Sequence, residues 1–189
     1  PAEKLGGASL WWLHHSLAAL RTDLEQQGIE LILKQGSPAD LVPQLAQELG
    51  LTSLHWNRRY DAAGISTDTE LKTRLQDELG LEVKSHKASL LVEPWELKTK
   101  TGGIYKVFTP FWKSIRASLN PGQPLPKPAL VAGSNQAEGQ SLESLGLLPT
   151  KPDWSGGFAP VWTPGEAGAR QRLEEFLATG LEGYKELRN

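Results

Sequence analysis

Three short runs, Ile29 to Lys34 (IELILK), Ser53 to Asn57 (SLHWN) and Glu82 to His86 (EVKSH), are separated by stretches whose leucines recur at helical spacing. Strand-sized runs alternating with helices favour right-handed crossovers, and hence a parallel sheet covered on both faces. The predicted class is α/β, a Rossmann-like parallel sheet. Leu13, Leu17, Leu20 and Leu24 define a first helix, with Ser9 as N-cap and Gly28 as stop. A second opens at Ser37, with Pro38 at the first helical position, Asp40 closing an acidic variant of the capping box, and Leu41, Leu45 and Leu49 as its stripe. Pro43 lies beyond the first turn and predicts a kink, because it removes a backbone donor. A third helix is predicted from near Thr67, with Glu70 three positions on and Leu71, Leu75 and Leu79 before Gly80.

After Lys87 the regularity fades. Thr99 to Gly103 (TKTGG) predicts a turn, and Val107 to Leu119 a helix once past Pro110. Residues 120–165 are rich in proline and read as an extended connector, with Trp154, Phe158 and Trp162 as apolar anchors. A last helix runs from Gly165 to about Leu177 and leads to Tyr184. Adjacent Trp11 and Trp12 point in different directions on a helix, so at most one shares a core with Leu13.

Composition removes several function classes. Lys and Arg number 20 against 22 Asp and Glu, and the net charge of −2 gives no polybasic footprint of the kind nucleic-acid binders carry. The absence of cysteine excludes disulfides, thiolate metal sites and cysteine nucleophiles, and fits a reducing, cytoplasmic setting. His14, His15, His55 and His86 have no companions at metal-ligand spacing, so no metal is expected. No apolar run approaches the roughly 20 residues of a membrane-spanning helix. The chain holds no methionine, not even an initiator, and is expected to be an excerpt of a longer protein. No glycine motif that cradles a nucleotide, no Ser/His/Asp arrangement and no pair of catalytic carboxylates stands out, so no catalytic residue is assigned.

In an open parallel sheet, ligands bind beyond the carboxyl ends of the strands. Of the two loops that qualify, Gln35-Gly36-Ser37 is too short to carry much chemistry. The other, Asn57 to Ser66 (NRRYDAAGIS), gathers Arg58, Arg59, Tyr60 and Asp61 and is the predicted site.

The segment GIYKVFTPFW at Gly103 to Trp112 resembles the Y-x-V-F-T/G-P-F-W segment of the photolyase/cryptochrome family's N-terminal domain. SLWWLHHSLAAL resembles the family helix that follows its second strand, WNRRYDAAGISTD resembles the antenna-loop segment, and the ending resembles the connector that enters the flavin-binding domain. The resemblance implies that a strand, a helix and a second strand of the family precede this chain and that a helical FAD-binding domain follows it. It divides the chain into a partial antenna-binding α/β domain at 1–119, an interdomain connector at 120–165 and the start of the FAD-binding region at 166–189.

The implied complete protein is a deoxyribodipyrimidine photo-lyase. With FAD, it splits cyclobutane pyrimidine dimers in UV-damaged DNA flipped out of the duplex. It is expected to be a monomer without membrane attachment, and this chain alone to be inactive. The implied role of this part is to hold a light-harvesting antenna chromophore. A cryptochrome-type blue-light photoreceptor and a stand-alone nucleotide-binding α/β module are the alternatives. Folate-binding relatives carry an Asn-Glu pair where this chain has Ala63 and Gly64, while deazaflavin-binding relatives have an acidic residue near Asp61. A flavin or deazaflavin antenna is therefore expected over folate. The implied cofactor residues are Asn57, Arg59 and Asp61 for the antenna and Tyr184 for FAD.

Overall fold

The computed structural model describes residues 5–99, 101–120, 122–123, 125–131 and 137–188. The elements run α1 (Gly7–Glu25), α2 (Pro38–Glu48), β1 (Ser53–Asn57), α3 (Ala62–Asp77), β2 (Glu82–His86), α4 (Phe108–Ser118), α5 (Glu166–Glu175) and α6 (Tyr184–Leu187). They fall into two compact units, one formed by 38–128 and the other by 1–37 with 129–189.

In the first unit β1 and β2 pair in parallel, Ser53 opposite Glu82 through to Asn57 opposite His86. The α/β class and both strand boundaries agree with the sequence. Period-two alternation turns Leu54, Trp56 and Val83 to one face, where they meet Ala46 of α2 and Leu71 and Leu75 of α3, with Leu81 closing the buried cluster. The opposite face, including His55, Lys84 and His86, is exposed. There the His55 Nδ1 and His86 Nε2 atoms lie 2.9 Å apart.

Pro43 is buried inside α2, and the helix continues across it. A proline at 43 leaves the Ala39 carbonyl without its helical donor. Arg74 of α3 fills the gap, its Nη1 donating to Ala39 O at 2.9 Å. Arg74→Ala is therefore expected to cost about 1 kcal/mol. The cost should shrink in a Pro43→Ala background, where the restored N–H can serve Ala39. Equal costs in both backgrounds, measured by urea unfolding, would refute this reading of the contact.

Several expected boundaries move. Residues 29–34 form no strand, since they have no ladder partner among the described residues; the Leu33 carbonyl instead accepts the Gln140 N–H at 2.7 Å. Helix α1 starts before Ser9, with Gly6 as an N-cap that makes no side-chain bond. Helix α4 starts before Pro110, which the first turn tolerates because its N–H would be unpaired there anyway. The turn at 99–103 is present, closed by Thr99 N–H to Gly103 O at 2.8 Å; Lys100 lies outside the described residues. So do positions 121, 124 and 132–136 of the expected connector.

In the second unit the two tryptophans of α1 diverge as expected. Trp11 is buried and meets the edge of Phe158 at 5.2 Å, while Trp12 is 41% exposed and meets Trp162 at 5.8 Å. Phe158 also touches Trp154, so the three expected anchors tie their segment to α1. Helix α5 passes into a π-helical turn over Phe176–Gly180 before α6.

Candidate functional site

The carboxyl ends of β1 and β2 open onto a cleft of about 490 Å³. That is the size range of small-molecule sites. Trp56, Tyr60 and Trp95 supply its aromatic walls, and α3 supplies Asp68, Thr69, Lys72, Thr73 and Gln76. These five helical positions share one face, alongside the buried stripe of Leu71 and Leu75.

Helix α3 starts earlier than its leucine stripe suggests. Asp61 is the N-cap, accepting the Gly64 N–H at 2.7 Å, so the connection after β1 shrinks to 58–61. A Cβ on Gly64 would sit 2.5 Å from Asp61 Oδ2 and 2.7 Å from Arg59 Cβ. Glycine at 64 is thus a packing requirement of the cap. The Thr67 hydroxyl, the expected cap, instead donates to the Ala63 carbonyl within the helix.

Arg58 is fixed from several directions. Its backbone N–H donates to His86 O at 2.9 Å, its Nη2 to Ser85 O at 2.9 Å and its Nε to Ser85 Oγ at 3.2 Å. Its Nη1 pairs with Glu93 Oε1, and the guanidinium lies 5.4 Å from the centroid of the Trp95 ring. Glu93 is itself only 2% exposed. Arg59 donates through Nε and Nη2 to Asp68 Oδ1 at 3.1 and 2.5 Å, and this hydrogen bonding is the first cause of its raised pKa.

Trp56 Nε1 is buried without a hydrogen-bond partner, while the Tyr60 hydroxyl lies against the Glu93 carboxylate behind the cleft wall. Loss of solvent first, and then the Glu93 carboxylate beside it, raise the Tyr60 hydroxyl above its ordinary pKa. Tyr60 therefore stays a neutral donor at physiological pH.

Of the expected cofactor residues, Arg59 lines the cleft. Asp61 borders it as the helix cap, and Asn57 ends β1 on the exposed side of the sheet. Tyr184 belongs to the other unit, at the start of α6, half exposed with its ring edge against Phe176 at 5.7 Å. Sequence reasoning passed over Trp56, Lys72, Glu93 and Trp95. Asp68, Lys72 and Gln76 already stand at four-residue spacing within the helix predicted from near Thr67, so that helix face was the available signal; Glu93 and Trp95 sit in the irregular stretch after a strand end, where such loops also bear sites. No group of three or more His, Asp or Glu suited to a metal occurs among the described residues, nor a helix long and apolar enough to cross a membrane.

A parallel pair of strands with helices on it and a ligand-sized cleft at the strand ends defines an α/β domain with a candidate binding site. The family model for DNA photolyase matches residues 1–129. The chain belongs to the DNA photolyase family. It is 46% identical to a deoxyribodipyrimidine photo-lyase of Agrobacterium fabrum over 100% of this chain and 39% of that protein. It is 29% identical to cryptochrome-2 of Arabidopsis thaliana over 95% of this chain and 30% of that protein. The structure of a bacterial class III photolyase from Agrobacterium tumefaciens superimposes with a TM-score of 0.91 at 46% identity, covering 98% of this chain and 38% of that one. The chain thus spans well under half the length of these relatives.

Proposed function

We propose that this chain is the antenna-binding part of a light-driven DNA repair flavoenzyme, and that the strand-end cleft holds a planar heteroaromatic chromophore. The observation that carries the reading is a ligand-sized cleft at the strand ends with three aromatic walls and two arginines anchored by acidic partners. Trp56, Tyr60 and Trp95 bind the ring faces and exclude water. Arg58, held by Glu93, and Arg59, held by Asp68, fix the rim. A flavin or deazaflavin is favoured over folate because position 64 admits no side chain beside the Asp61 cap.

For the complete protein we assign deoxyribodipyrimidine photo-lyase activity, on the 46% identity to a protein of that name against 29% to a cryptochrome. FAD, when bound there, supplies the photoexcited electron that splits the pyrimidine dimer. This chain's residues hold the antenna and, through Tyr184, contribute to the entry of the FAD site. Residues 120–165 serve as connector, and contact with damaged DNA falls outside the chain.

The test is the chromophore content of the full-length gene product. Purified protein should release a second chromophore besides FAD. Trp95→Ala, at a residue 56% exposed and so dispensable for folding, should lower its occupancy severalfold and leave FAD unchanged. A parent protein with FAD alone, or a Trp95→Ala variant with full second-chromophore occupancy, would remove the cleft as the antenna site.

A further inference from the structure

Charge inside the cleft is unequally spent. Of the cations lining it, Arg58 is paired with Glu93 and Arg59 with Asp68, whereas Lys72 forms no ion pair or hydrogen bond among the described residues. Yet Lys72 is only partly exposed, on the α3 face that lines the cleft. Asp68, one helical turn back and the nearest acid on that face, is engaged by two nitrogens of Arg59. Asp61, at the border, is committed to capping α3 through the Gly64 N–H. The lining cations and their two acidic partners therefore leave one positive charge uncompensated, in a chain whose net charge is −2.

An unpaired ammonium beside an aromatic cleft is matched by a ligand that is flat at one end and anionic at the other. We propose that Lys72 is a specificity-determining residue that receives the acidic arm of the chromophore, so that the cleft selects ring systems carrying a phosphate or carboxylate over neutral ones. The assignment rests on the antenna reading of the same cleft. Trp56, Tyr60 and Trp95 hold the ring; Lys72 holds the arm as a point charge on a flexible stem, which tolerates arms of differing length.

Riboflavin and flavin mononucleotide share one ring and differ by a phosphate, which makes them suitable probes. Binding of each labelled probe is measured by equilibrium dialysis on the full-length gene product, first freed of small molecules and then saturated with FAD. The mononucleotide should bind about tenfold more tightly than riboflavin at low ionic strength, as a charge-assisted hydrogen bond provides. Lys72→Gln should abolish that preference by weakening only the mononucleotide, and Lys72→Arg should keep it. Equal affinity for the two probes in the parent, or a preference that survives Lys72→Gln, overturns the role of Lys72 while leaving the cleft in place. If neither probe binds, or Trp95→Ala leaves both affinities unchanged, the cleft reading falls together with it.

Discussion

Truncating Leu75 to alanine is expected to cost about 3 kcal/mol, the middle of the range for a buried leucine that leaves a cavity. Leu75 is 0% exposed and sits at the centre of the cluster formed with Ala46, Leu71, Leu81 and Val83. With so few fully buried side chains in the unit, relaxation around the void has little to draw on. The loss is also large against the 5–15 kcal/mol that holds a typical domain folded. Its effect should concentrate in α3, because the helix is seated on the sheet through Leu71 and Leu75 while the adjoining face lines the cleft. Amide hydrogen exchange within α3 of the full-length gene product should therefore accelerate about 100-fold, with second-chromophore occupancy falling in parallel. Leu75→Met, which nearly conserves volume, should cost less than about 1.5 kcal/mol. Exchange in α3 unchanged by Leu75→Ala would show that this cluster does not seat the helix.

What could be read from the sequence depended on whether the signal was local. Gly50 and Gly80 punctuate the chain after α2 and α3 with φ of 59° and 66°, conformations that glycine adopts without strain, and β1 and β2 follow them at the expected residues. The strand at 29–34 was expected on composition, but a strand exists only with a partner, and pairing is not a local property. The start of α3 was hidden because two caps competed: Thr67 with Glu70 has the familiar pattern, but Asp61 gains its N–H from a glycine that brings the backbone close. Arg59 and Tyr60 were legible as residues of a strand-end loop; Lys72 lay on the predicted helix, but its place at the cleft depends on how that helix packs against the strand ends. Glu93 was illegible for another reason, since an acid in an irregular stretch carries no sign that it is buried against an arginine some 35 positions earlier.

Glu93→Ala is expected to cost about 2 kcal/mol, less than a fully buried ion pair because the Arg58 side chain is 32% exposed and keeps some hydration. The acid's own burial, with 3% of its side chain exposed, makes the pair more than a surface contact. Without it, Arg58 retains its bonds to Ser85 but loses its countercharge, and its hold beside Trp95 is weakened. Glu93 is thus expected to act as a positioning residue, reaching the cleft through Arg58 and the indole wall. Glu93→Gln keeps an oxygen acceptor for Arg58 while removing the charge, so it should recover about half the lost stability. The readout that separates positioning from mere stability is the second chromophore. Its occupancy should fall severalfold in Glu93→Ala, even at a temperature where circular dichroism shows the protein fully folded, and recover in part in Glu93→Gln. If occupancy follows only the folded fraction, Glu93 supports the fold and leaves the cleft wall to others.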